Sequence, residues 1–220
     1  MRKLALDIHS SGGRSLTKEQ ILEKFSRYLP EVNIEDERAE DVLDEIVQRN
    51  VLIKEVSIGV YEFLHLSFQE YFAALELRER KDYEVLLEHL YDPWWEEVIL
   101  LIAGFDRDST ELIRRIQKEE KTNKRFREDI FYSNLMLMGK CIADADYTDA
   151  RLREEIVERL WFLYQTAEFS SLRENAIGIL GLVKPKKLIS SLIEELSSGD
   201  SFVRLKAVHA LGMMGSERAL

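Results

Sequence analysis

The sequence predicts a mainly helical protein. A small domain of three to four helices with one β-hairpin occupies residues 1–80, and a stack of helix pairs occupies residues 81–220. Three observations predict this. Apolar residues recur at helical spacing along most of the chain. The one clear hairpin pattern, VLIKEV-SIG-VYEFLH, lies at residues 51–65. Near the end, LRENAIGILGLV (Leu172–Val183) recurs as VRLKAVHALGMM (Val203–Met214), 31 residues on.

Lys3 to His9 reads as the tail of a helix that begins in a longer parent, closed by Ser10, Ser11, Gly12 and Gly13. No lysine followed by Ser or Thr comes after Gly12-Gly13 at phosphate-loop spacing, so the pair reads as a turn. The next helix, Leu16 to Leu29, opens with a capping box of Thr17 and Gln20 and a staple of Leu16 and Ile21. Its stripe is Ile21, Leu22, Phe25, Tyr28 and Leu29, and Pro30 ends it. A third helix follows Asn33 and runs to about Arg49. Ala39, Val42, Leu43, Ile46 and Val47 form its inner face, and Asn50 is placed as a left-handed cap. The hairpin then turns at Ser57-Ile58-Gly59. Helix, helix, helix, hairpin, helix is the order of a winged helix.

Residues Tyr61–Leu77 organise this domain. Val60, Leu64 and Leu66 alternate with Tyr61, Phe63 and His65, as in a strand that runs straight into a helix. Ser67 and Glu70 have capping-box spacing, and Leu66 with Tyr71 has staple spacing. Phe68, Tyr71, Phe72 and Leu75 fall on one helical face. His65 thus stands at a strand end beside the positive end of a helix, a favourable place to meet an anion.

FLHLSFQEYFAAL resembles the winged-helix signature that follows the nucleotide-binding domain of NACHT-type STAND signalling NTPases. The resemblance implies that His65 contacts the β-phosphate of ADP in the intact parent and helps hold its closed, inactive state. It implies ADP or ATP with Mg as the parent's cofactors, and none in this chain. It also implies an N-terminal NTPase domain as the partner of the winged helix.

A winged helix often reads DNA through its third helix. Here that segment carries Glu35, Asp36, Glu37, Glu40, Asp41, Asp44 and Glu45 against Arg38 and Arg49. Such a face repels phosphates. A formal net charge of −10 likewise argues against nucleic acid and anionic membranes as partners. No apolar run approaches the roughly 20 residues of a membrane span, and no secretory signal opens the chain. With a single cysteine, Cys141, the chain can form no internal disulfide, and a reducing cytoplasm is the expected compartment.

After Arg80 the pattern is helices only. Tyr83–Leu90 and Trp94–Gly104 form one pair, divided by Asp92-Pro93. Trp94 and Trp95 read as core anchors, and WWEEVILLIAG is similar to the segment that often follows the winged helix in bacterial NACHT proteins. VILLIAGFDRD imitates a Walker B strand, but Ala103 stands where its first acid belongs, and the chain has no Walker A motif. Further helices are expected over Glu111–Glu120, Ile130–Ala143 and Arg151–Ala167, with Leu135, Met136, Met138 and Cys141 packing inside. The basic run Lys118–Arg127 includes Glu119 and Glu120 and no aromatic ladder, and reads as a solvated interhelical loop.

The terminal repeat aligns Arg173 with Arg204, Ala176 with Ala207, Leu180 with Leu211 and Gly181 with Gly212. D-x-x-V-R-x-x-A-V-x-A-L-G, from Asp200 to Gly212, resembles a HEAT repeat of the short, PBS-lyase-like kind. The arginine is expected to brace its own repeat or the neighbouring one through carboxylates or carbonyls, the alternative being a recognition role for Arg173 and Arg204. A HEAT-like α-solenoid over 81–220, truncated at its C-terminus, is therefore expected, with a protein or other ligand on its surface.

No catalytic or metal-binding constellation emerges. His9, His65, His89 and His209 occur singly, Cys141 lies on an apolar helix, and the carboxylates sit beside Lys and Arg on helix faces. The sequence thus reads as a non-enzymatic regulatory and sensor fragment of a NACHT/STAND protein. The alternative is a free-standing HEAT scaffold without nucleotide dependence.

Overall fold

The computed structural model describes residues 1–35, 38–50, 52–123 and 129–216. The chain forms two compact units, Met1–Val85 and Leu86–Leu220.

The first unit contains α1 (Arg2–Ser10), β1 (Ser15–Thr17), α2 (Lys18–Tyr28), α3 (Ala39–Glu45), β2 (Ile53–Ser57), β3 (Val60–Phe63) and α4 (Leu66–Arg80). The strands make one antiparallel sheet in the order β1-β3-β2. β2 and β3 are the expected hairpin. Ile58 and Gly59 form its tip, and Gly59 takes φ +70°, which a side chain would strain. A bulge between Glu55 and Ser57 resets the register, and the Glu55 carboxylate accepts from the Gly59 N–H at 2.7 Å. The third strand, β1, was not expected. Leu16 pairs with Tyr61 before the chain enters α2.

α2 begins with the anticipated capping box: Gln20 N donates to Thr17 Oγ1, and Thr17 N donates to Gln20 Oε1. The third helix differs from expectation. α3 ends at Glu45, and Ile46–Asn50 continue as a π-turn, so Asn50 lies inside helical structure and is no left-handed cap. Val42, Ile46 and Val47 are half-buried, while Ala39 and Leu43 are buried. Asp36 and Glu37 of the acidic segment lie outside the described residues.

α1 covers the helix expected over Lys3–His9. Leu4, Ala5 and His9 are fully buried, and the helix packs along α4. On α4 the buried face is Gln69, Ala73, Ala74, Glu76 and Leu77, and the predicted aromatic stripe flanks it. Two consecutive alanines let the α1 backbone approach closely, so the small residues take the centre. Phe72 packs beside Phe63 with ring centroids 6.2 Å apart, and Tyr71 stays 41% exposed.

α5 (Tyr83–Glu88) spans the division between the units. The second unit continues with α6 (Pro93–Phe105), α7 (Thr110–Thr122), α8 (Ser133–Asp144), α9 (Ala150–Thr166), α10 (Ser170–Val183), α11 (Lys186–Glu195) and α12 (Ser201–Ser216). α6, α8, α10 and α12 pack in succession as one row, while α7, α9 and α11 lie against that row. Asp92 caps α6 by accepting from Trp94 N at 3.0 Å, and Pro93 fills the first helical position. The Walker-B-like run therefore lies on a helix, with Val98, Ile99, Ile102 and Ala103 in the core. Asp108, beyond its end, accepts from Thr110 N at 2.9 Å, as an ordinary turn residue does.

The repeats are stitched across their loops. Ser109 Oγ lies 2.9 Å from Thr148 Oγ1, and Asp149 N donates to Thr110 Oγ1 at 2.8 Å. At Gly181 the two final inner helices almost touch. A Cβ there would lie 2.6 Å from the Met214 carbonyl oxygen, so only glycine fits.

Candidate functional site

His65 is exposed and forms the N-cap of α4. Its backbone is extended (φ −133°, ψ 145°), and its carbonyl accepts from Phe68 N at 3.1 Å. The helix therefore starts at Leu66, two residues earlier than Ser67 as N-cap would set it. Ser67 lies within the first turn, and the capping box predicted for Ser67 and Glu70 is replaced by this backbone closure. The cause lies in the strand before it. Leu64 N is held by the Leu52 carbonyl at 2.9 Å, which keeps the chain extended only as far as His65. The imidazole has no side-chain capping bond, and its ring lies beside that of Phe68, with centroids 6.0 Å apart. The arrangement leaves an exposed imidazole beside the first N–H groups of a four-turn helix, whose dipole favours an anion.

The other three histidines have partners within the fold. His9 is buried between α1 and α4, with Nδ1 3.4 Å from Gln69 Nε2; that amide also donates to the Gly13 carbonyl at 3.1 Å. His89 stacks on Trp95 at 4.4 Å, with planes 6° apart. His209 Nδ1 lies 3.0 Å from the Tyr164 hydroxyl. Trp95 is buried in the core, and Trp94 is half-buried. Cys141 is fully buried, and desolvation pushes its thiol up to about 12. Among the described residues no group of three or more His, Cys, Asp or Glu could hold a metal ion. No described helix is long and apolar enough to cross a membrane. In the basic run, Lys118 and Lys121 lie on the last turns of α7; Lys124, Arg125 and Arg127 lie outside the described residues.

The repeat arginines behave identically. Arg173 Nη1 donates to the carbonyls of Ala167 (2.6 Å) and Glu168 (3.1 Å). Arg204 Nη1 donates to the carbonyls of Ser198 (2.6 Å) and Gly199 (3.1 Å). Each ties its own helix to the loop before it, and among the described residues no carboxylate holds that nitrogen. A third brace escaped the sequence reading. Arg153 donates from Nη1 to the Ile142 carbonyl (2.8 Å) and from Nη2 to the Val183 carbonyl (3.0 Å), joining the C-terminal ends of α8 and α10. Such partners are invisible in sequence because they are backbone atoms 11 and 30 residues away.

One comparison with known proteins gives a match, and two give none. The family model for HEAT repeats matches residues 148–220, which begin just before α9 and contain both bracing arginines of the 31-residue repeat. The chain matches no curated protein and no solved structure. What is shown is a mainly helical chain with a small three-stranded sheet whose last third is similar to HEAT repeats.

Proposed function

We propose that this chain is the regulatory and sensor part of a NACHT-type STAND signalling NTPase. In this reading the first unit is a winged helix that stabilises the ADP-bound state of an N-terminal NTPase core. The order helix, strand, helix, helix, strand, strand, with β1 on the sheet edge beside β3, supports the winged-helix assignment. The observation that carries the switch reading is the exposed imidazole of His65 at the start of α4. A histidine sealed in apolar packing could not reach a phosphate on another domain. Cofactor chemistry, ADP or ATP with Mg, belongs to the parent's core; this chain supplies one phosphate contact. The HEAT-like repeats supply recognition of a protein or other ligand, as such repeats commonly mediate protein interaction. That ligand must bind the two states of the switch unequally to shift it. A cytoplasmic setting suits a nucleotide-controlled switch.

The test uses the intact protein with its NTPase core. His65→Leu is expected to lower the ADP that copurifies with the protein and to raise basal signalling activity. Unchanged nucleotide occupancy in the variant refutes the phosphate role. The second reading, a HEAT scaffold without nucleotide dependence, is favoured by the extent of the family match, which covers the repeats alone. It predicts full partner binding in His65→Leu and no effect of ADP on that binding.

A further inference from the structure

Two cavities on the row α6, α8, α10 and α12 border the same three side chains, Met136, Lys140 and Asn175. One, of about 420 Å³, lies over α8, α10 and α12. The other, of about 350 Å³, lies over the starts of α6 and α8 and reaches α10. Together they mark a face that crosses four helices. Packed helices stand roughly 8–10 Å apart, so such a face is about 25–30 Å long. An extended chain, at roughly 3.3 Å per residue, covers it with about eight or nine residues.

The charges on this face are unequal. Asp92, Glu96, Asp129 and Glu174 line it against one cation, Lys140, among the described residues. Lys140 is already held by Glu96. Asp92 accepts from Trp94 N at 3.0 Å, and Asp129 accepts from Phe131 N and Ser133 N, each at 3.0 Å. Glu174 is exposed and has no hydrogen bond or ion pair among the described residues. The starts of α6, α8 and α10 contribute about half a positive charge each, so the sum stays negative with all three counted. Two other cavities of the second unit differ. The one of about 520 Å³ lined by Trp161 and Tyr164 carries Arg173 and Lys206 against Glu174 and Glu195. The one of about 450 Å³ carries Arg153, Lys186 and Lys187 against Glu154 and Glu158.

The acidic face also has contacts for a peptide to use. Asn175 is exposed, with no hydrogen bond among the described residues, and its amide can donate to a backbone carbonyl and accept from a backbone N–H. Phe131 and Leu182, 63% and 50% exposed, add apolar surface in one cavity and the other.

We propose that this face binds an extended, basic segment of a partner protein. Arginine or lysine side chains of the segment meet Glu96 and Glu174, its backbone meets the Asn175 amide, and its apolar side chains lie on Phe131, Met136 and Leu182. The proposal deepens the reading of the repeats as a recognition surface and rests on that part of it; His65 plays no role in it.

The experiment titrates the chain with three blocked nonapeptides, read by calorimetry. All have Leu at positions 2 and 8 and Ser elsewhere, and they carry Arg, Gln or Glu at positions 4 and 6, which share one side of an extended chain. The Arg peptide is expected to bind at least about tenfold more tightly than the Glu peptide. The double variant Glu96→Gln/Glu174→Gln is expected to lose about tenfold in affinity for the Arg peptide. The control Glu158→Gln/Glu194→Gln removes the same charge from α9 and α11, away from the face, and is expected to lose less than about twofold. Glu174→Gln alone replaces an exposed side chain and is expected to lose about threefold, so the proposal stays testable if circular dichroism shows the double variant misfolded. Equal losses in the face and control variants would show attraction to net charge alone and overturn the proposal. No binding of any peptide also overturns it. Equal or tighter binding of the Glu peptide overturns the basic chemistry and leaves the repeats standing as a recognition surface. None of these outcomes touches ADP retention in His65→Leu, so the two readings fail separately.

Discussion

Arg173 and Arg204 place the same nitrogen on the carbonyls five and six residues before them, a repeat of function at the level of single atoms. This bracing was legible because the repeat itself was legible. Arg153 was not, since its partners come from two other helices. Its planar fork reaches two divergent carbonyls at once, and a lysine offers only a point charge. Arg153→Ala is expected to destabilise the second unit by about 2 kcal/mol and Arg153→Lys by a substantial part of that, measured by urea unfolding. Equal stability of Arg153→Lys and the parent would count against the fork. Cys141 yields a prediction in pH. Its folded thiol holds its proton up to about 12, whereas an unfolded thiol ionises near 8.5. The native state then binds more protons across that window, so stability falls as pH rises through it. Below the window the residue contributes no pH dependence. Comparison with Cys141→Ala between pH 7 and 10 isolates the effect: the gap between the two proteins should narrow with rising pH. Native Cys141 should also resist alkylation at pH 8 and react fully in urea.

At the scale of elements, periodicity located the helices better than it located their faces. α4 was predicted in place, yet its buried face is set by Ala73 and Ala74 against α1, because small side chains permit the closest helix approach. An apolar stripe marks what can be buried, and a close-packed neighbour decides what is. β1 was missed for a related reason. Three residues cannot display a period, and Ser15–Thr17 is a strand only because β3 offers it an edge. The π-turn at Ile46–Asn50 has no sequence signal beyond a continuous helical pattern. Gly181 was legible as a repeat position, and the structure gives the reason: no Cβ fits against the Met214 backbone. Gly181→Val should force α10 and α12 apart and cost about 1–3 kcal/mol in the second unit. An unchanged urea midpoint would show that α12 moves freely away from α10.

At the scale of the whole molecule, the sequence announced a small helical domain with a hairpin and then helices only, and the structure divides into units at Val85 and Leu86. The candidate site was legible in part. His65 could be picked out because a strand pattern meets a helix pattern there, whereas the cavity of about 520 Å³ lined by Trp161 and Tyr164 could not, because it joins residues from four helices. The excess of acid, −10 overall, bears on partners. A labelled DNA duplex at low salt should show no binding in the micromolar range, and tight, salt-steep binding would revive a DNA-reading role for the first unit. The central claim concerns a single imidazole and a diphosphate on a neighbouring domain. A crystal structure of the intact protein with ADP tests it most directly. The account predicts a nitrogen of His65 within about 2.7–3.2 Å of a β-phosphate oxygen. An imidazole beyond hydrogen-bond reach of the nucleotide, or bonded to the protein's own backbone, would contradict it.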